Sequence, residues 1–345
     1  MSNKIDLSKF EIRTDLVFEL IEASNLNGIN TVVKKYEDIE ITSVTIDKKI
    51  SKDINKKEGK YTTITFDDIS DYDSRQKVIN VFKETFENIL IDLKIKNDAS
   101  CLIVGLGNDK VTADSLGPKT IENIVITKHM FDLPGIAVDK SFRNICGINP
   151  GVMGETGIET SRIVYSLVKE IKPDFVIVID ALAASNINRV NKTIQISDAG
   201  INPGSGVGNN RKELSKKVLG VPVIAIGIPT VVDAVTIVAD TMNYMTNHFS
   251  YHIENKHNLS HKFTTIDKIK IDDKKELNKE NRKKLLGLIG NFEDSEIRDL
   301  LTEVLSPLGL NMMVSPKEID FVIKNLSEVL SKGINMTLHR QITRH

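Results

Sequence analysis

Apolar and polar positions alternate from Ile39 to Ile46 (Ile39, Ile41, Val44, Ile46) and again from Tyr61 to Phe66. Period-two alternation marks half-buried strands, so the sequence predicts an N-terminal strand pair joined by the charged connection 47–59. The phase slips between Ile41 and Val44, which predicts a bulge there. Helical spacing follows Thr14 and returns between Ser74 and Leu93, where Val78, Val81, Phe82, Phe86, Ile89, Leu90 and Leu93 line one face and Asp73 or Ser74 is the expected cap. Three short, uniformly apolar runs come next: Ser100 to Gly105, Asp174 to Ile179 ended by Asp180, and Val221 to Gly227. Thr193 to Ile196 is also strand-like. Helical stretches at 116–128, 157–170 and 212–219 separate the runs, a further helix is expected over 233–253, and two amphipathic helices over 295–305 and 316–330. Apolar strands alternating with amphipathic helices imply a mostly parallel sheet covered on both faces. The expected class is α/β, a three-layer α/β/α sandwich with an N-terminal strand pair and C-terminal helices.

Composition narrows the function classes. Of 345 residues, 40% are hydrophobic and 27% charged, which excludes wholesale disorder. Lys and Arg number 46 against 47 Asp and Glu, so a net charge of −1 argues against nucleic acid as the main partner. Cys101 and Cys146 have no CxxC spacing and read as free thiols of a reducing compartment. The first residues lack an apolar signal-peptide core, and no run approaches the roughly 20 apolar residues of a membrane span. Between Lys256 and Leu285 stand ten Lys or Arg against five Asp or Glu, which reads as a solvated surface segment.

In a doubly wound sheet ligands bind beyond the carboxyl ends of the strands. Acidic residues follow all three apolar runs there: Asp114, Asp180 and Asp233. Asn108, in the turn after the first run, is a further candidate for lining a site. Competing motifs fail. Gly105-Leu-Gly107 opens a dinucleotide fingerprint, but Lys110 holds the third glycine position. No P-loop is present, and Ala113-Asp-Ser115-Leu-Gly117 lacks the strand and the first glycine of a nucleophile elbow. His248 and His252 have zincin spacing, but Phe249 stands where the general-base Glu belongs. With His257 and His261 they could hold a metal, although a polar helix end accounts for them better. The aspartic-protease signature D-[ST]-G is absent. The Gly-rich stretch 199–210 reads equally as a connector or as a mobile flap over a site. Glu155, in Met153-Gly-Glu-Thr-Gly157, serves either the helix dipole or a substrate.

Several of these segments together resemble one family. They are Arg13-Thr-Asp-Leu16, Gly105-Leu-Gly-Asn108, Thr112-Ala-Asp-Ser-Leu-Gly-Pro118, Gly147-Ile-Asn-Pro-Gly-Val-Met-Gly-Glu-Thr-Gly157, Ile179-Asp-Ala-Leu-Ala-Ala184, Gly204-Ser-Gly-Val-Gly-Asn209 and Gly227-Ile-Pro-Thr-Val-Val-Asp233. The pattern resembles the germination proteases of spore-forming bacteria, endopeptidases that degrade small acid-soluble spore proteins. The likeness runs over about 5–250 and the C-terminal helices, and is weakest over 255–300.

The resemblance implies a fold like that of the hydrogenase-maturation peptidases, a phosphorylase/hydrolase-like sandwich. It implies a zymogen that removes its own propeptide, and an atypical aspartic peptidase whose two carboxylates fall on Asp114 and Asp180. The family cleaves after an acidic residue, before an apolar one and then Ala. Asp15-Leu16 fits, with Val17 in place of Ala, so the expected division is propeptide 1–15, peptidase core 16–254, and a charged segment with C-terminal helices over 255–345. The same resemblance implies a homotetramer in the cytoplasm of the spore core, protein substrates, no direct contact with nucleic acid or membrane, and neither cofactor nor metal. The alternatives are a metal-dependent maturation peptidase of the same fold and a non-catalytic binding module. No histidine in the site loops favours the first, and both aspartates oppose the second.

Overall fold

The computed structural model describes residues 14–24, 29–135, 137–202, 213–254, 282–283, 286–292, 294–305 and 312–339. They form two compact units. The larger takes 14–184, 188–231 and the residues from 315 on, and the smaller takes 185–187 and the described residues of 232–314. In chain order the larger unit holds α1 (Val17–Ser24), β1 (Thr31–Tyr36), β2 (Ile39–Ile46), α2 (Lys48–Asp53), β3 (Gly59–Thr65), α3 (Tyr72–Asp92) and β4 (Cys101–Gly105). It continues with α4 (Leu116–Ile121), α5 (Lys128–Asp132), β5 (Ile145–Ile148), α6 (Met153–Thr156), α7 (Thr160–Ile171), β6 (Phe175–Ala184), β7 (Thr193–Ser197), α8 (Lys216–Leu219) and most of β8 (Val223–Asp233). The smaller unit holds the end of β8, α9 (Ala234–Glu254), α10 (Asp294–Leu305) and β9 (Met313–Val314), and α11 (Ile319–Leu338) returns to the larger.

Among the described residues the strands run β1-β2-β3-β7-β8-β6-β4-β5, and β9 pairs with the end of β8. β4 is parallel to both β5 and β6. Val176 N bonds Pro222 O near the start of β6, and Leu182 lies against Gly227 further along, so β8 is parallel to β6. β7, β3, β2 and β1 extend this parallel half antiparallel. Two cores explain the uniformly apolar strands. Cys101, Ile103, Ile177 and Ile179 face one core with Phe82, Phe86, Leu116, Leu326 and Leu330 from α3, α4 and α11. Leu102, Val104, Val176 and Val178 face the other with Val164, Val168 and Leu219 from α7 and α8. On that second side α1 covers β2 and β3 through Val17, Val44, Ile46 and Tyr61. The sheet lies between two helical layers as expected, but it is mixed rather than mostly parallel, because β7, β3, β2 and β1 join it antiparallel. Cys101 and Cys146 are free thiols.

Several local expectations change. β2 pairs with β3 without interruption from Glu40 to Ile46, so the bulge is absent. The phase slip arises because Ile39 and Ile41 serve the first core while Val44 and Ile46 pack under α1, on opposite faces of one strand. β6 and β8 do not stop at Asp180 and Gly227 but run on to Ala184 and Asp233. The cap of α3 is Asp71, whose side chain accepts from Ser74 N. The helix expected over 116–128 ends at Ile121, because Asn335 of α11 bonds Asn123 O and Val125 N and takes over the backbone beyond it. The helix expected from 157 starts at Thr160, and a short helix, α6, ended by the left-handed Gly157 at φ 70°, stands where a loop was expected. β1 gave no sequence signal: every residue of this edge strand is exposed, so no alternation marks it.

Candidate active site

Past Gly105 the chain doubles back over the end of β4 to a short 3-10 turn, Thr112–Asp114, that leads into α4. Two glycines permit this. Gly107 sits at φ 116°, and a Cβ there would lie 1.9 Å from the Asp114 carbonyl oxygen. A Cβ on Gly117 would lie 2.3 Å from Leu106 O. Asn108 N donates to Asp114 Oδ2 at 2.8 Å, and Thr230 Oγ1 on β8 donates to Ala113 O at 2.6 Å. The turn therefore hangs from β4 and β8, and it packs against β6. On β6, Ile179 O accepts from Leu106 N at 2.8 Å, so Asp180 stands directly after the last rung of the ladder. It is buried, on the face it shares with Val176 and Val178. Asp114 and Asp180 thus lie on adjoining elements.

The other candidates fall apart from this pair. Glu155 pairs with Lys110, whose Nζ is 2.7 Å away, and that hydrogen bond holds its carboxyl below the usual range and raises Lys110. Asp233 lies in the smaller unit and caps α9, accepting from Thr236 N at 2.9 Å and from Thr236 Oγ1 at 2.6 Å. His248 and His252 fall on α9, but their side chains, like His257, His261 and the glycines of 204–208, lie outside the described residues. A groove of about 700 Å³ opens beside the Asp114 turn, lined by Thr112, Ser115, Lys119, Lys324 and Asn335.

The segment Thr14–Val17 is held on the sheet. Asp15 N donates to Ala183 O at 3.0 Å, and Ala183 N donates back to Asp15 Oδ2 at 3.0 Å. Gln195 Nε2 donates to Asp15 O at 3.2 Å while its Oε1 accepts from Val17 N at 2.8 Å. Leu16 is fully buried. Lys56 Nζ donates to Thr14 O at 3.0 Å. Burial lowers the Lys56 pKa, against the opposing pull of Asp15 and Glu19. Thr14 Oγ1 donates to Glu19, and Arg189 pairs with Glu22 at 2.7 Å and lies over Phe18. Sequence reasoning found Asp15 and Leu16 but not Lys56, Ala183 or Gln195. Gln195 had one signal, a long polar side chain between two isoleucines in an otherwise buried strand.

Comparison with known proteins decides the family. The chain matches the germination protease family over residues 12–345. It belongs to that family. Germination proteases of Bacillus cereus (strain AH187), Bacillus thuringiensis subsp. konkukian and Bacillus mycoides are each 46% identical to it, over 99% of this chain and 97% of theirs. Membership makes the chain a spore-germination endopeptidase. The hydrogenase maturation protease HycI of Thermococcus kodakarensis is 19% identical, with 42% of this chain and 80% of that one covered, at a TM-score of 0.28 that carries no argument. Among the described residues of this germination protease no group of three or more His, Cys, Asp or Glu is placed to hold a metal ion. Among them, too, no helix is long and apolar enough to cross a membrane.

Proposed function

We propose that the chain is the zymogen of an endopeptidase that starts the breakdown of small acid-soluble spore proteins, and that it cuts its own chain between Asp15 and Leu16. Asp114 and Asp180 act on one water. Two neighbouring carboxylates cannot both ionise easily, so one keeps a proton and the other serves as base. The base takes a proton from the water, whose oxygen adds to the Asp15 carbonyl carbon. The protonated partner delivers its proton to the Leu16 nitrogen as the C–N bond breaks. Residues 1–15 leave as propeptide. The observation that carries the reading is the docking of Asp15 on Ala183, three residues beyond Asp180 on the same strand. The enzyme works as a homotetramer in the cytoplasm of the spore core, on protein rather than DNA and without a metal.

The test incubates the full chain and sequences the new N-terminus. A chain made to start at Leu16 is then given an acid-soluble spore protein, with and without a chelator. The expected product begins at Leu16, chelator changes nothing, and Asp114→Asn and Asp180→Asn each lose about 10²–10⁴-fold. Either variant within a few-fold of wild type overturns the pair. Activity abolished by chelator and restored by metal moves the site to the metal-dependent alternative.

A further inference from the structure

The Gln195 side chain spans the junction that the proposed reading cleaves, and the inference rests on that reading. We propose that Gln195 is a catalytic residue: its Nε2 holds the scissile carbonyl of Asp15 and stabilises the oxyanion formed there, while the Ala183 amide recognises the acidic side chain before the bond.

The orientation of the Gln195 amide follows from its partners. Val17 N can only donate, so the Gln195 oxygen faces it at 2.8 Å, and the nitrogen faces Asp15 O at 3.2 Å. One side chain thereby grips the peptide on both sides of the Asp15–Leu16 bond, as a neighbouring strand would. Gln195 is 8% exposed, and a buried amide needs all its partners. Here Asp15 and Val17 supply them. Once residues 1–15 leave and the new N-terminus at Leu16 and Val17 comes off the sheet, both ends of the Gln195 amide are vacated and can take the next substrate across its scissile bond.

The sheet sets Gln195 and Asp180 on one face. Ile194 and Ile196 point into the first core, as do Ile177 and Ile179, so Gln195 and Asp180 both point the other way. Gln195 pairs with Gly227. Running β6 and β8 on in register from the Val176–Pro222 bond puts Gly227 beside Asp180. The backbones of Gln195 and Asp180 are therefore two strand spacings apart, about 10 Å, and the Leu182 side chain lies over Gly227 between them. The carbonyl oxygen is gripped from the β7 side, and a water activated at Asp180 approaches from the β6 side. As the carbonyl carbon becomes tetrahedral its oxygen gains charge, and the Nε2 hydrogen bond strengthens where it lowers the barrier. Specificity has a matching account. Asp15 bonds Ala183 twice, backbone to carbonyl and carboxylate to amide, so an acidic residue there places the bond against Gln195.

The test compares wild type with Gln195→Ala and the isosteric Gln195→Glu, which keeps the acceptor for Val17 N and loses the donor. Self-cleavage of the full chain and turnover of an Asp-Leu peptide by the chain starting at Leu16 are both read. The expected result is a fall of about 10²–10³-fold in kcat, the usual cost of one oxyanion donor, with KM within about threefold. A peptide N-methylated at the residue corresponding to Val17 is expected to slow wild type at least tenfold, which needs no variant to fold. Variants that cleave within threefold of wild type, a loss confined to KM, or a methylated peptide cut at the ordinary rate would overturn the proposal while leaving the two-aspartate reading intact. A wild-type chain that never yields a Leu16 N-terminus overturns both.

Discussion

Gly107 carries no functional group, yet it decides where Asp114 sits. Its φ of 116° is forbidden to ordinary side chains, and the Asp114 carbonyl fills the space a Cβ would need. Gly107→Ala is expected to cost about 1–3 kcal/mol of stability in a denaturant titration and to depress cleavage further, because the turn must move. Unchanged cleavage would mean that the position of Asp114 does not matter. Both aspartates were singled out in the sequence because each comes after an apolar run, and the family resemblance proposed them as the catalytic pair. Gln195, Ala183 and Lys56 were not. They act through a backbone amide, or through side chains common in structural roles, and only the docked Thr14–Val17 segment gives them a task.

Elements were read well where one core sets the pattern and less well where two cores share a strand. α3, β4 and α9 lie close to where periodicity put them. β2 misled because its apolar residues serve opposite faces, and β6 because Asp180 sits inside a strand that runs on to Ala184, past its last rung with β4. The helix expected over 316–330 continues to Leu338, and His339 behind it explains the length. His339 is fully buried. Its Nε2 donates to Val125 O at 3.0 Å and its Nδ1 accepts from Arg143 N at 3.3 Å, which requires the neutral ring. Burial lowers its pKa, opposed by the hydrogen bond to Val125 and helped by the Arg143 charge. The unfolded chain takes up this proton near pH 6.5, whereas the fold resists it, so stability drops as the pH falls below that value toward the lowered folded pKa. The unfolding midpoint of wild type is expected to fall more steeply from pH 7 to pH 5 than that of His339→Gln. Parallel slopes would show that His339 is not responsible.

For the whole molecule, the proposed removal of residues 1–15 is predicted to cost stability. Lys56, Ala183 and Gln195 all hold Thr14 or Asp15, and these bonds go when residues 1–15 leave. At about 0.5–1.5 kcal/mol for each hydrogen bond, the chain starting at Leu16 is expected to melt below the full chain. A midpoint equal to or above that of the full chain would mean that the docked segment adds nothing. The layered architecture was legible from the alternation of apolar runs and helices. The order of strands across the sheet was not, because it joins segments far apart in the chain: β3 pairs with β7, and α11 closes the core built on Phe82 and Phe86.

That last placement also dictates an order of events during synthesis. Leu326, Val329, Leu330 and Ile334 share a core with Ile64 of the N-terminal half, and Asn335 anchors the chain beyond α4. A ribosome delivers those residues only after every strand of the sheet has emerged. Until α11 is free, the first face of the sheet is covered only by α3 and α4, and the Asp114 turn has no finished support. On the proposed reading, a nascent chain holds Asp15 and Leu16 long before it holds a scaffold able to cut between them, so the fold would postpone the first cleavage until translation has passed α11.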